Sequence, residues 1–377
     1  MDRYEVEAVL GQGGMATVYK VCHTELMTRH ALKLLMHKGG SLADRMLQEG
    51  KIQARLRHPN VVGVTDVVRH EGHIGLVMDF VDGVALGAFS YNYHLKGDKL
   101  DQLAHDLFDG IEVAHALGLV HRDLKPDNVM MAFEGDGVVA KITDFGLAKA
   151  LSDELRVARA TQAGQMMGTP RYMAPEQFFD AAAVDVRADI YALGAILYEV
   201  LGRKPLFPDS DLANALTACV TGDWEPLTKL PAGTPPAWRE AIHACLATAK
   251  KDRPADIGAL RALWGAAPAR RPAWSVDDLS FLHDVQDVVS EKLSTPKQVK
   301  EQVDDALAKV GEARGRARPA PPPRPRWHRW VLAASAGALA MTALWVGLAG
   351  ASLAWVSWEA SESANATPSP DPESVEP

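Results

Sequence analysis

Cysteine is scarce in this chain of 377 residues, which contains three: Cys22, Cys219 and Cys245. They lie far apart and form no C-x-x-C pair, the usual spacing of a structural zinc site or a redox centre. Widely spaced thiols also provide no disulfide framework, and they are typical of small buried hydrophobic residues in a reducing compartment. Disulfide-rich secreted scaffolds and zinc modules are therefore excluded as classes.

The chain also lacks an excess of positive charge, since its formal net charge at pH 7 is −8. Nucleic-acid-binding proteins usually carry a basic surface, so we expect no nucleic-acid partner. The first residues, MDRYEVEAVLG, lack the basic segment and the apolar run of a secretory signal peptide. We therefore expect no cleaved leader.

Charge is absent altogether from residues 330–356, WVLAASAGALAMTALWVGLAGASLAWV. At about 1.5 Å per residue this run is longer than the roughly 30 Å hydrocarbon core of a bilayer, which predicts one C-terminal transmembrane helix. A buried alanine-rich core helix is the alternative, although uncharged helices of this length are rare in soluble domains. Trp330, Trp355 and Trp358, at the two ends, are typical of interfacial anchors.

The flanks of this segment predict its orientation. Residues 314–329 contain arginine but no acidic residue, whereas residues 357–377 contain acidic residues but no basic one. By the positive-inside rule, the long N-terminal part faces the cytoplasm and 357–377 form a short extracytoplasmic tail of a single-pass inner (cytoplasmic) membrane protein. Ala343, Gly347 and Ala351 recur every four residues and predict a face for a homodimer in the membrane, although an alanine-rich span matches such a pattern easily.

The periodicity of apolar residues changes along the rest of the chain. Between residues 4 and 81 it predicts short strands in a mostly antiparallel sheet, interrupted by one helix over 42–58. From about residue 100 the apolar spacing is helical. Gly202 follows one of these helical runs and is its expected C-cap.

A glycine-rich stretch, GQGGMATV, begins at Gly11 between two predicted strands. Glycines let a backbone approach a ligand closely, and their N–H groups can point at phosphate oxygens. A hairpin turn without any ligand is an equally simple interpretation. The stretch is not a Walker loop, because no GK[ST] follows, and not a dinucleotide fingerprint, because the next element is a strand.

Two charged residues follow that need an explanation. Lys33 lies in HALKLL, an otherwise apolar strand, and requires either a partner or access to solvent. Glu49, on the next predicted helix, is a candidate partner. Both have an ordinary alternative: Lys33 is a surface lysine, and Glu49 belongs to a solvated helix face that also carries Asp44 and Arg45.

The stretch HRDLKPDN, residues 121–128, concentrates six polar or charged side chains within an apolar region. Further stretches follow in order: TDFG at 143–146, GTPRYMAPE at 168–176, DIYALG at 189–194 and DRP at 252–254. In this order and spacing, they resemble the bacterial eukaryotic-like (Hanks-type) Ser/Thr protein kinases. The resemblance covers roughly residues 4–265.

This resemblance implies an α+β, bilobal protein kinase fold. A small β-rich N-lobe would span residues 4–78, a hinge 79–81 and a larger α-helical C-lobe 82–265. Residues 266–317 would then be a juxtamembrane region, either helical or disordered, and 318–329 a Pro/Arg-rich linker to the transmembrane helix.

The resemblance also implies that ATP binds between the lobes, with Mg²⁺ as the metal and Mn²⁺ as an alternative. The residues implied in holding ATP are Gly11, Gly13 and Gly14 over the phosphates, Val18 and Ala31 on the adenine, Lys33 on the α and β phosphates with Glu49 as its partner, Met78 at the back of the pocket, and Asp79 and Val81 as the hinge groups that bond adenine.

Phosphoryl transfer requires that the reacting groups are positioned and that negative charge is neutralised. In the family, the HRDLKPDN stretch supplies both. The resemblance implies that Asp123 accepts the proton of the substrate hydroxyl and that Lys125 neutralises the γ-phosphate. Asn128 and Asp144 would hold Mg²⁺ through oxygen atoms, which hard cations prefer. Lys125 in DLKPDN, together with Thr169 on the substrate platform, is typical of enzymes that phosphorylate Ser or Thr of proteins.

Other family positions imply regulation and support. Arg122 would bind a phosphate on the activation loop, residues 144–176, and Thr161 is the expected autophosphorylation site, unless it is only a polar loop residue. Asp189 would brace the backbone of the catalytic loop, the HRDLKPDN stretch at 121–128. Glu176 would pair with Arg253 in a buried ion pair.

Two residues depart from the family pattern. Ala16 replaces the third glycine of the phosphate loop, which a small residue should tolerate. Gly50 weakens the helix that carries Glu49 by about 1 kcal/mol relative to alanine, so that the Lys33–Glu49 pair is expected to form only on activation.

Two rival functions remain open. A membrane-anchored pseudokinase scaffold would usually lack Lys33, Asp123 or Asp144, and all three are present. A small-molecule kinase of similar fold would lack the MAPE segment that this chain contains at 173–176.

Overall fold

The structure, a computed structural model, describes residues 3–12, 16–36, 41–145, 170–179, 184–207, 212–222, 230–275, 278–283 and 286. The chain divides into two compact units, Met1–Leu307 and Ala308–Pro377, and every described residue belongs to the first. No helix in these described ranges is long and apolar enough to cross a membrane. The predicted transmembrane helix over 330–356, the linker and the tail all lie outside them.

The N-lobe is built on a five-stranded antiparallel sheet, as the alternating pattern predicts. Its strands are β1 (Tyr4–Gln12), β2 (Ala16–His23), β3 (Arg29–Leu35), β4 (Val64–His70) and β5 (His73–Asp79). They are arranged in the order β1-β2-β3-β5-β4. Alternate residues of β2 are buried and half-buried, so its side chains divide between the two faces of the sheet.

One helix, α1 (Ser41–Gln53), packs on this sheet through Met46, which is fully buried in a cluster with Leu76. Gly50 is needed for this contact, because a Cβ built there would lie 2.7 Å from Cδ2 of Leu76. The helical weakness that Gly50 introduces therefore allows close packing of α1 on β5.

The predicted helix over 42–58 is too long at its C-terminal end. It ends at Gln53 because the chain turns there and is then drawn towards the C-lobe. Asn60 and Val62 exchange backbone hydrogen bonds with Ile142 at 2.9 Å each. Pro59 also disfavours a helical conformation at the residue before it.

The C-lobe contains a small sheet that was not predicted. The apolar spacing beyond about residue 100 predicted helices only. It comprises β6 (Gly83–Ala85), β7 (Val129–Glu134) and β8 (Gly137–Ile142), paired antiparallel in that order. Gly83 has a φ of 159°, and a Cβ there would lie 2.0 Å from the Met131 carbonyl oxygen. Only glycine allows the segment after the hinge to lie this close to β7.

Helices form the rest of the C-lobe. They are α2 (Leu86–Asn92), α3 (Gly97–Ala116), α4 (Pro175–Phe179), α5 (Arg187–Gly202), α6 (Leu212–Thr221), α7 (Pro236–Cys245) and α8 (Ile257–Trp264). Nearly every residue of α5 is buried, so this helix is the centre of the lobe. Gly194 allows α7 to approach it, because a Cβ there would lie 2.5 Å from that of Cys245.

The C-cap of α5 differs from the prediction. Gly202 is still helical, and the left-handed residue is Arg203, with φ 54° and ψ 28°. This conformation costs a non-glycine residue about 1–2 kcal/mol. In return, the Arg203 guanidinium donates a 3.0 Å hydrogen bond to the Tyr91 carbonyl, which ties the end of α5 to α2.

Candidate functional site

Lys33 on β3 has an acidic partner, Asp144, that the sequence did not predict. Its Nζ lies 2.8 Å from Oδ2 of Asp144, and both side chains are largely buried. Burial by itself would raise the pKa of Asp144, but the adjacent Lys33 ammonium lowers it below its ordinary value. The Glu49 side chain is not among the described ones, so its pairing with Lys33 stays a prediction.

Strand register brings the predicted adenine-binding residues together. Ala31 on β3 faces Met78 on β5, and Val18 on β2 faces Lys33. Ala31 and Met78 are buried, and Val18 and Val81 pack against the same cluster. These side chains therefore line the region next to Lys33, as an apolar binding surface would require.

The phosphate loop is described at Gly11, which pairs with Val18 across β1 and β2. A Cβ built at Gly11 would meet no atom within 4 Å, so packing does not explain the glycine. Gly13 and Gly14 fall outside the ranges that the structure describes, and their role is still a prediction.

At the predicted hinge, the Asp79 N–H is already engaged. It donates a 2.9 Å hydrogen bond to the Gly63 carbonyl, and the Asp79 carboxylate accepts one of 3.2 Å from the Gly63 N–H. Asp79 can therefore offer adenine only its carbonyl oxygen. Val81 follows as the second hinge residue and is half-buried.

Three side chains of HRDLKPDN meet in one hydrogen-bonded cluster. Lys125 Nζ lies 2.9 Å from Oδ2 of Asp123. The Asn128 amide nitrogen donates to the Asp123 carbonyl oxygen at 2.7 Å and to its Oδ2 at 3.2 Å. The Asp123 carboxylate is thus held by a cation and an amide while remaining about one-third exposed, accessible to a substrate.

The small C-lobe sheet sets the separation of the two predicted metal ligands. Asn128 immediately precedes β7, and Asp144 follows β8 by two residues. The Thr143 N–H donates a 2.9 Å hydrogen bond to the Asn128 carbonyl, which makes the two segments direct neighbours. Asp144 has a φ of 66°, a left-handed conformation that is strained for a non-glycine residue and often occurs at functional sites.

Asp189, fully buried at the start of α5, holds the catalytic loop by its backbone. Its two carboxylate oxygens accept hydrogen bonds from the N–H groups of His121, at 2.8 Å, and Arg122, at 2.9 Å. The His115 ring lies 2.8 Å from the same carboxylate. These contacts stabilise Arg122 at a φ of 66°, the second left-handed residue of the site.

Glu176 and Arg253 form a two-pronged ion pair, with N–O distances of 2.8 and 2.9 Å. The Arg253 side chain is completely buried. It also donates to the carbonyls of Ala247, Thr248 and Arg187, at 2.7, 3.0 and 3.1 Å. One guanidinium therefore joins the segment at α4 to α5 and to the residues just after α7.

The sequence motifs did not reveal three supporting side chains. Gln53, on α1, donates to the Phe145 carbonyl, next to Asp144. Gln177 donates to the Arg122 carbonyl at 2.7 Å. His115 supports Asp189. Gln53 is buried and Gln177 is half-buried, both in helices. A glutamine at an otherwise apolar helical position was the only sequence feature that could have predicted these supporting roles.

Thr161 and Thr169 fall in the part of the chain, 146–169, that the structure does not describe. The predictions for both residues therefore rest on the motif alone. The described segment after them lies beside the catalytic loop, since Tyr172, Met173 and Gln177 line one small pocket with Asp123 and Lys125.

Residues 4–264 match the model of the family described as "Protein kinase domain", which is well over half of the chain. The chain belongs to the protein kinase domain family. The paired Lys33 and Asp144, the Asp123 cluster and the HRDLKPDN stretch braced by Asp189 are therefore the candidate site of this kinase-family chain.

Several similar bacterial proteins are named as serine/threonine-protein kinases. A probable serine/threonine-protein kinase, PknB of Lactococcus lactis, is 39% identical over 57% of this chain and 34% of that protein. Serine/threonine-protein kinase Pkn1 of Myxococcus xanthus is 36% identical over 67% of this chain and 36% of Pkn1. PknA of Mycobacterium tuberculosis is 36% identical over 65% of this chain and 56% of PknA. The match thus spans about a third of the length of the first two relatives.

A solved structure supports the bilobal kinase fold. Rad53, residues 1–466, in complex with AMP-PNP superposes with a TM-score of 0.57 and 25% identity, covering 70% of this chain and 65% of that one. The N-lobe sheet and the helical C-lobe are therefore the kinase arrangement.

Proposed function

We propose that this protein is a serine/threonine protein kinase that transfers the γ-phosphate of ATP to protein hydroxyls. The observation that carries the proposal is the cluster of Asp123, Lys125 and Asn128 beside the Lys33–Asp144 pair. A pseudokinase scaffold is not favoured, because each of these groups is present. The kinase names of the bacterial relatives and the AMP-PNP bound to Rad53 support the same activity.

Each residue of the cluster has a task in this reaction. Asp123 accepts the proton of the attacking hydroxyl and orients its oxygen, because its carboxylate is fixed yet accessible. Lys125, bonded to that carboxylate, places a positive charge where the transferred phosphoryl group becomes negative. Lys33 holds the phosphates of the nucleotide on the N-lobe side.

The residues also fit a magnesium ion. Asp144 keeps an ionised carboxylate, and the Asn128 amide nitrogen is used in hydrogen bonds, which leaves its oxygen as a ligand. In the described ranges no group of three or more histidine, cysteine, aspartate or glutamate side chains could hold a metal alone. Mg²⁺ typically takes one or two protein ligands and completes its shell with phosphate oxygens and water, where it would neutralise phosphate charge.

Acceptor choice and activation extend the proposal. Lys125 in DLKPDN and the names of the relatives support Ser or Thr as the acceptor. Arg122 is held at its N–H by Asp189 and at its carbonyl by Gln177, so its position is fixed. A phosphate on Thr161 would bond to the Arg122 guanidinium and order the activation loop.

One assay tests both the Ser/Thr acceptor and the activation by phosphorylated Thr161. The full chain is incubated with γ-labelled ATP and Mg²⁺ beside Lys33→Met and Thr161→Ala, and labelled residues are mapped. We expect label on Thr161 and on other Ser or Thr residues in the wild type and no label in Lys33→Met, because the phosphates lose their cation. Thr161→Ala should retain weak labelling of an added protein. Label on tyrosine alone would contradict the acceptor, and unchanged activity of Thr161→Ala would contradict the switch.

We also propose that residues 330–356 anchor the protein in the inner membrane with the kinase domain in the cytoplasm. The uncharged run and the arginine-rich flank before it support this location. The full chain should stay in the membrane fraction after alkaline carbonate extraction, and deletion of 330–356 should release it. Release of the undeleted chain would rule out the anchor.

A further inference from the structure

The chain continues on the C-lobe beyond residue 264, where the family match ends. We name the described residues of this segment, 266–275, 278–283 and 286, the C-terminal strap. Residues 278–283 are helical. The strap contacts α2, α3, β7 and the segment after the hinge.

The first contact of the strap neutralises a buried charge. Asp106 on α3 is 2% exposed, and its carboxylate accepts hydrogen bonds from the Arg271 guanidinium at 3.0 and 3.3 Å. The same carboxylate accepts the Ala140 N–H of β8 at 3.0 Å. A cation of the strap therefore contributes to the interior of the kinase domain, where an unpaired carboxylate would be costly.

A polar network holds the middle of the strap. Asp278 accepts hydrogen bonds from Lys99 at 2.8 Å, from the Tyr93 hydroxyl at 2.9 Å and from the Ser275 hydroxyl at 2.7 Å. The hydrogen bond from Lys99, with those from Ser275, holds the pKa of Asp278 far below its usual value. Charge-assisted bonds of this kind are stronger and more directional than neutral ones.

Apolar contacts surround this network. The Trp274 ring packs against Tyr93 and Phe89, with ring centroids 5.6 and 6.1 Å apart. Lys99 Nζ lies 4.4 Å from the Trp274 ring centre. Leu282 is completely buried and belongs to the main core of the C-lobe. The strap is thus packed like part of the domain and not like a surface tail.

The far end of the strap reaches the hinge. Gln286 donates a 2.5 Å hydrogen bond to the Asp82 carboxylate, and the His283 ring lies 4.7 Å from that of Phe133. Asp82 and Phe133 are joined to each other, because the Phe133 N–H donates to the Asp82 carbonyl at 2.8 Å. Asp82 directly follows the predicted hinge, and Phe133 lies on β7, the strand that Asn128 immediately precedes.

We propose that the docked C-terminal strap is a regulatory element that supports the hinge side of the nucleotide site, and that its release weakens nucleotide binding. The segment that joins the catalytic domain to the predicted membrane anchor then controls the kinase through Asp82 and β7. The inference rests on the proposed function in one respect, that the site binds a nucleotide.

The test compares the full-length wild type with Asp278→Ala, which removes the centre of the polar network. Hydrogen exchange of 271–286 reports docking, and titration with a fluorescent ATP analogue reports affinity. We expect faster exchange in the strap and a Kd raised by about fivefold, the lower range of measured couplings between sites. Asp98→Ala, which removes an exposed carboxylate next to Lys99, is the matched control and should change neither.

A gentler variant covers the case in which Asp278→Ala fails to fold. Tyr93→Phe removes one hydrogen bond to Asp278 and keeps the ring, and a smaller change in the same direction is expected. Faster exchange with an unchanged Kd would overturn the proposal, because the strap would then pack on the C-lobe without affecting nucleotide binding. Unchanged exchange in both variants would also overturn it. Failure of the kinase proposal has a different signature: analogue binding without phosphoryl transfer to any protein.

Discussion

Replacing Asp123 with asparagine is expected to lower kcat by about 10²- to 10⁴-fold, the range that a positioned general base contributes. Asparagine has the same shape, and its amide oxygen can still accept the hydrogen bonds that Lys125 and Asn128 donate to Oδ2. The cluster should therefore persist. The variant loses the negative charge that accepts the hydroxyl proton, so the chemical step should slow while the affinity for ATP stays the same.

Two measurements separate these effects. Initial rates with labelled ATP and a protein acceptor give kcat, and titration with a fluorescent ATP analogue gives Kd. Asp136→Asn is the matched control, since Asp136 is an exposed carboxylate in the turn between β7 and β8. Wild-type kcat in Asp123→Asn would place the proton acceptor elsewhere. A large rise in Kd would instead indicate that Asp123 supports the nucleotide site.

Replacing Arg253 with methionine should lower the free energy of unfolding by about 3–5 kcal/mol, as expected when one partner of a buried ion pair is removed. Methionine fills part of the volume but leaves the Glu176 carboxylate without its cation. It also removes the donor to three carbonyls, those of Ala247, Thr248 and Arg187. Glu176→Gln should cost less, because Arg253 then keeps its bonds to the carbonyls.

Urea unfolding of the wild type and variants measures these differences. The matched control is Arg3→Met, since Arg3 pairs with Asp66 at 2.8 Å but its side chain is 59% exposed. An exposed pair is worth about 1 kcal/mol or less. Equal losses for Arg3→Met and Arg253→Met, or a loss for Glu176→Gln as large as that for Arg253→Met, would contradict the role of Arg253 as the joint between α4, α5 and the residues just after α7.

Local patterns predicted those features that depend on neighbouring residues. The N-lobe sheet followed from short strand-like runs between residues 4 and 81, some alternating like β2 and some continuously apolar like β5, which is buried over six consecutive residues. The helical character of α3 and α5 followed from apolar spacing. The roles of the HRDLKPDN residues were implied by the resemblance of this stretch and the later motifs to the kinase family, since order and spacing of motifs are local properties of the chain.

Other features depend on contacts between distant segments, and local patterns did not predict them. Strand β6 was missed because β6 and β7 are more than forty residues apart and only pairing makes three residues a strand. The β7–β8 hairpin is local, and it was missed because the apolar spacing beyond about residue 100 was interpreted as helical. The end of α1 was misplaced because, in the chain after it, Asn60 and Val62 form backbone hydrogen bonds with Ile142, which lies far along the chain. The left-handed residue at the end of α5 is Arg203 and not Gly202, and its guanidinium bonds the carbonyl of Tyr91, which lies far away along the chain.

The sequence by itself determined the family, the candidate catalytic residues and the uncharged segment at 330–356, because motif spacing and composition are properties of the linear chain. Only the tertiary structure decided that Lys33 pairs with Asp144, that Gly50 allows α1 to pack on β5, and that the strap after residue 264 reaches Asp82. The physical reason is that ion pairs and close contacts depend on the distance between two residues in three dimensions. The number of residues that separate them along the chain does not determine that distance.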